Sequence, residues 1–153
     1  MASRTKQRYF KQSGVIPVYK GKVVLITARG SQRWITPKGS VEWELSAQDS
    51  AAKEALEEAG IKGKVFPEEI GTYTYEKMGG RYKVRLYFME VTKLKDKWDE
   101  KHFRKRKLFS PKQAIKKVVP VSVSKIMAKY FHESRHSIKK KRKKAKKKGS
   151  STK

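Results

Sequence analysis

Between Gly39 and Ile61 the chain reads GSVEWELSAQDSAAKEALEEAGI, which spaces Glu54, Glu57 and Glu58 at i, i+3 and i+4. On a helix that spacing gathers the three carboxylates on one face. Like charges so close cost an isolated helix roughly a few tenths of a kcal/mol per pair, so something positive is expected against them. Carboxylate oxygens suit a hard divalent cation, Mg2+ or alternatively Mn2+, and such ions work beside substrate phosphates. An isolated surface ExxEE is ordinarily solvation and helix propensity. Here, however, 40 basic residues outnumber 14 acidic ones, and three of those 14 crowd a single helical face.

The flanking residues predict the helix that carries them. Ser46 followed by Asp49 fits a capping start, and Ala47, Ala51, Ala52, Ala55 and Leu56 supply good helix formers with a small-residue face for close packing on a sheet. Gly60 is a natural stop, because glycine enters the left-handed conformation freely. Gly39 follows Pro37-Lys38 in a loop, where bare backbone can approach a phosphate or offer its carbonyl to a metal.

Taken together these residues resemble the Nudix box: a glycine, five residues, a glutamate, seven residues, then REUxEExGU with U aliphatic. Gly39, Glu54, Glu57, Glu58, Gly60 and Ile61 match at the required spacing. Lys53 stands for the arginine, Ala55 is a weak aliphatic, and Leu45 stands where the first glutamate belongs. In the family that glutamate and arginine pair to orient the catalytic carboxylates; Glu42 and Glu44 are the two candidates to replace it here. The resemblance implies Glu54, Glu57 and Glu58 as catalytic residues and metal ligands, with the Gly39 carbonyl assisting. Which glutamate acts as base is left open.

Length and composition bound the rest. A chain of 153 residues without cysteine suits one domain with a real core, no disulfide framework and no thiolate chemistry. No apolar run reaches the length of a signal peptide or a membrane span, so a cytoplasmic protein is expected, with the nucleus as the alternative. The net charge is +26. Residues 137–153 carry ten of the basic residues and no acid, which leaves +16 on residues 1–136. The division expected is a catalytic domain at 1–136 and a disordered lysine-rich tail at 137–153. That tail has polyanions as its natural partners: RNA, DNA or polyphosphate.

Along the body, Val15–Tyr19 and Val23–Thr27 read as strands joined at Lys20-Gly21-Lys22. Thr72–Tyr75 and Tyr82–Val91 read as a second pair with Gly79-Gly80 near the turn. Ser110-Pro111 starts a helix over Lys112–Lys117, and a last helix after Pro120 lines up Val123, Ile126, Met127, Tyr130 and Phe131 as a core stripe. The class is α+β, with a mixed sheet sandwiched between helices, as in the fold of the resembled family.

RWITPKG before the helix, IKGKV after it, FMEVTKLKDKWDE and RKRKLFSPKQAIKKV further resemble the diphosphoinositol polyphosphate phosphohydrolase subgroup and its bacterial relatives. That resemblance implies hydrolysis of a phosphoanhydride bond in a highly anionic small molecule. A diphosphoinositol polyphosphate is favoured over a dinucleoside polyphosphate of the Ap4A type. An RNA-binding or RNA-5'-end-processing Nudix protein is the alternative from another class.

The residues point independently to an anionic substrate. In Arg81-Tyr82-Lys83-Val84-Arg85 the cations alternate with apolar residues and project from one sheet face about 7 Å apart, a row fit for several phosphates. Arg104, Lys105 and Arg106 form a second cluster, while Lys11, Arg29, Arg33 and Lys38 lie near the sheet or the loop before the box. The candidate substrate-binding set is Arg33, Lys38, Gly39, Ser40, Arg81, Lys83, Arg104 and Arg106. His102, His132 and His136 have no metal-site spacing and read as surface residues. Trp34 and Trp98 read as packing residues; Trp43 is either packed or exposed to stack on a base.

Overall fold

The computed structural model describes residues 8–134. The tail expected at 137–153, its partners and His136 lie outside the described residues.

Seven strands form one mixed sheet: β1 (Phe10–Tyr19), β2 (Lys22–Thr27), β3 (Trp34–Ile35), β4 (Lys38–Ser40), β5 (Ile61–Lys77), β6 (Gly80–Leu94) and β7 (Arg106–Phe109). Their main order is β3-β2-β1-β6-β5, with β4 pairing β1 and β7 pairing β2. The β1·β6 pair is parallel, from Phe10↔Tyr82 to Val18↔Glu90, and the other strand pairs are antiparallel. Both hairpins turn on two residues with positive φ, Lys20-Gly21 and Met78-Gly79. Positive φ at both central residues matches the right-handed twist of the strands they join. Gly79 is thus the second residue of the turn and Gly80 opens β6, in keeping with a turn near Gly79-Gly80.

Side chains alternate across the sheet, and each face has its own core. Val15, Val24, Ile26, Met89 and Val91 meet Ala51, Ala55 and Ala59 of α1 (Ala47–Ala59) on one side. Ile16, Val23, Leu25, Val84 and Leu86 meet Ala114 of α2 (Pro111–Lys117) and Val123 and Met127 of α3 (residues 121–134) on the other. Ile126 and Phe131 pack at the edge of that second core, and Tyr130 stacks on Phe88 with centroids 5.1 Å apart. The sheet is thus sandwiched between helices. β5 is far longer than Thr72–Tyr75 suggests, and it accommodates Pro67 because register shifts break the ladder between Val65 and Glu69. Among the described residues no helix is long and apolar enough to cross a membrane.

Candidate active site

The carboxylate helix is built as its residues dictate. Ser46 accepts a hydrogen bond from the Asp49 N–H at 3.0 Å, and Gly60 closes the helix in the left-handed region, φ 63°. Ala51, Ala55 and Ala59 are fully buried, so α1 lies close on the sheet and its glutamates emerge at one edge. Gly39 is bare for a reason. A Cβ there would run into the Glu54 carboxylate, so β4 and α1 touch where both carry candidate ligands.

The three glutamates have different surroundings. Glu58 is 6% exposed, with its Oε2 3.6 Å from Nη2 of Arg104. Burial pushes its carboxyl up to about 8, against the pull of Arg104 and with the push of Glu54 and Glu100. Glu54 is also raised, first by burial and then by Glu57, while a hydrogen bond with Glu58 offsets part of the rise. Glu57 lies 3.6 Å from Lys53, whose Nζ also bonds Glu42. Glu42, not Glu44, therefore takes the partner that Leu45 lacks.

Among the described residues no three acidic or imidazole side chains converge as a closed metal shell. The donor set nevertheless fits a hard cation: Glu54 and Glu58 are crowded, partly desolvated oxygen ligands that resist ionising together. Burial is the first cause in both, and a cation beside them would favour the ionised forms that burial disfavours.

Glu58 opens into a cavity of about 450 Å3, lined also by Arg29, Arg33, Lys38, Lys77, Arg104, Tyr73 and Tyr75. Lys38 donates to the Tyr75 hydroxyl at 3.2 Å and lies 4.6 Å above its ring centroid. Burial lowers the Lys38 pKa, opposed by Glu58. Tyr75 in turn donates to Gln12 Oε1 at 2.7 Å. Arg104 is held from three sides, by Glu100 at 2.9 Å, the Thr27 carbonyl at 2.8 Å and Glu58.

Of the expected substrate-binding residues, Arg33, Lys38 and Arg104 line this cavity. Arg81 and Lys83 do not. They alternate with Tyr82 and Val84, which share the face of Tyr73 and Tyr75, so they emerge on the opposite, α1-side face. Arg81 pairs with Glu76, a residue at the rim of the lining, at 3.2 Å. Ser40 is exposed and outside the lining. Arg106 is turned away from the cavity: its Nη1 donates to the carbonyls of Ala59, Gly60 and Lys95. Arg104 and Arg106 are two residues apart, yet they part company because Arg104 lies before β7, bonded to Glu100 and Thr27, while Arg106 begins the strand and is captured by the carbonyls at the end of α1. Trp43 is 92% exposed and does not line the cavity, whereas Trp34 packs edge-on to Phe109.

Three participants were not singled out from sequence. Tyr73 and Tyr75 were visible as alternate residues of a strand, but which face met the site depended on distant pairing. Glu100 joins the carboxylate cluster through Arg104; its only local signal was the i, i+4 spacing to that arginine.

The NUDIX domain model matches residues 9–130. Diphosphoinositol polyphosphate phosphohydrolase 2 of Rattus norvegicus is 34% identical over 98 residues, 62% of this chain and 53% of that protein. The human diphosphoinositol polyphosphate phosphohydrolase 3-alpha is 33% identical over 98 residues, 62% of this chain and 58% of its own length. The match thus spans little more than half of those relatives. In three dimensions the chain resembles a binary complex of the C. elegans Ap4A hydrolase, with TM-score 0.70 and 19% identity over 83% of this chain and 98% of that one. With a domain match over most of its length, this chain belongs to the Nudix hydrolase family.

Proposed function

We propose that this chain hydrolyses a phosphoanhydride bond in a highly anionic small molecule, using Mg2+ or Mn2+, and that a diphosphoinositol polyphosphate is its preferred substrate. The observation that carries the reading is the cavity beside Glu58, where Arg29, Arg33, Lys38, Lys77 and Arg104 converge. Five cations against two acidic groups, Glu58 and Glu76, suit a ligand bearing many phosphates, with the arginines able to grip bidentately. The names of the two diphosphoinositol polyphosphate phosphohydrolases it resembles point the same way.

Glu54 and Glu58 would hold the cation, with Glu57 beside them and the Gly39 carbonyl assisting. When bound, the ion neutralises phosphate oxygens and makes water a better nucleophile. One of these carboxylates would accept the proton of the attacking water; a bound cation would offset the burial that raises the Glu58 carboxyl and hold it ionised. Lys38 and Arg33 hold the phosphate chain and stabilise the leaving oxygen. Arg104, fixed by Glu100 and the Thr27 carbonyl, keeps Glu58 in place.

A second reading, a dinucleoside polyphosphate substrate, is favoured by the aromatic side of the same cavity. Tyr73 and Tyr75 line it, and Tyr82 stacks on Tyr75 at 4.9 Å and 11°. A base could extend that stack. The discriminating experiment is a metal-dependent screen of inositol pyrophosphates, diadenosine polyphosphates and capped RNA. The highest kcat/KM is expected for the inositol pyrophosphate. A higher value for the diadenosine substrate selects the second reading, and turnover of capped RNA alone overturns both.

A further inference from the structure

Glu57 and Glu58 sit in the last turn of α1, where the final four carbonyls of a helix have no intrahelical donors and the ends tend to fray. Here each carbonyl from Leu56 to Gly60 has a donor. The Gly60 N–H closes on Leu56 at 3.0 Å. Beyond it, the Glu100 N–H donates to the Glu57 carbonyl at 3.1 Å, and Trp98 Nε1–H donates to the Glu58 carbonyl at 3.0 Å. Arg106 Nη1 donates to Ala59 at 2.9 Å and to Gly60 at 3.2 Å, and the Lys95 N–H also donates to Gly60, at 2.7 Å.

All the donors from outside the helix belong to one segment, residues 95–106. That segment is closed on itself, since the Arg106 guanidinium lies 4.3 Å above the Trp98 ring and donates to the Lys95 carbonyl at 2.9 Å. A Cβ on Gly60 would strike the Trp98 ring, so the left-handed glycine and the tryptophan fit as a pair. The same segment delivers Arg104 and Glu100 to the Glu58 side chain.

We propose that Trp98 and Arg106 are positioning residues that fix the last turn of α1 through its carbonyls, and so set where the Glu57 and Glu58 carboxylates stand relative to Glu54. The inference rests on the hydrolase reading for what those carboxylates do. Neither residue lines the cavity, so their loss acts on the carboxylates and on Arg104, which shares their segment, and leaves Arg33 and Lys38 in place.

The test uses the full chain with Trp98→Phe, which keeps a ring but removes the Nε1–H donor, and Arg106→Lys, which keeps the charge but loses the fork. Mn2+ affinity is measured without substrate by electron paramagnetic resonance, alongside kcat, KM and the unfolding temperature, with assays well below unfolding. Trp98→Phe is expected to weaken Mn2+ binding and to lower kcat by about tenfold each, with KM within about twofold. Arg106→Lys moves both in the same direction; should it not fold, Trp98→Phe alone decides. A Trp98→Phe protein that unfolds earlier but keeps wild-type Mn2+ affinity and kcat overturns the proposal and leaves the hydrolase reading intact. A wild-type chain that binds no Mn2+ and cleaves no phosphoanhydride overturns both.

Discussion

Lys53 bonds the carboxylate of Glu42, in the loop before α1, and its ammonium stands 3.6 Å from Glu57. Glu42 is itself pinned, because its N–H donates at 3.1 Å to Oγ of Ser50, which is buried. The ion pair that a glutamate at position 45 would offer Lys53 is thus made three residues earlier. Glu42→Gln should lower kcat about as much as Lys53→Ala, whereas Lys53→Arg should change it by less than about tenfold. Stability should hardly move, because the pair is half-exposed and solvent screens it. Equal kcat in all four proteins would mean that this pair orients nothing.

Gly39→Ala adds one carbon in the space that Glu54 occupies. The sheet and α1 keep their cores, so the expected outcome is a folded protein with kcat down at least about tenfold. Circular dichroism and steady-state kinetics check it. Wild-type turnover would mean that Glu54 need not stand where it does.

Stability should depend on pH through Glu58. Its folded pKa of about 8 lies above the usual carboxyl value of 4.5, so the unfolded chain loses this proton first. The contribution is fully present below about pH 4.5 and is lost as pH rises through about 8. Glu58→Gln has no charge to bury, so in metal-free buffer its unfolding temperature should rise relative to wild type between pH 5 and pH 8. A constant difference across that range would contradict the burial of this carboxyl.

What could be read along the chain was local. The Ser46 cap, the Gly60 stop, the alanine face of α1, the Ser110-Pro111 start and the apolar stripe of α3 depend on neighbours within one helix, and the structure keeps them. What could not be read depended on partners far apart. The parallel pairing of Phe10–Val18 with Tyr82–Glu90 joins strands more than seventy residues distant and decides that Tyr73 and Tyr75, not Lys83, face the cavity. Arg106 was indistinguishable from Arg104 as a cation in a basic run. Only the fold shows one held against Glu58 and the other spent on the end of α1.

The cavity and the basic row make different claims on the substrate. Arg33→Ala and Lys38→Met should each raise KM for an inositol pyrophosphate by about an order of magnitude, while Arg81→Ala/Lys83→Ala together should raise it less than about threefold. The reverse ranking would put the substrate across the α1-side face of the sheet.

In the proposed chemistry the carboxylates of α1, Glu58 buried among them, carry a metal-dependent phosphoanhydride hydrolysis. Its most direct measurement is phosphate release from an inositol pyrophosphate by wild type and Glu58→Gln, with Mg2+ and in excess chelator. Turnover is expected to require the metal, and Glu58→Gln to be folded but slower by at least about a hundredfold. An unchanged rate in Glu58→Gln, or full activity in excess chelator, would contradict it.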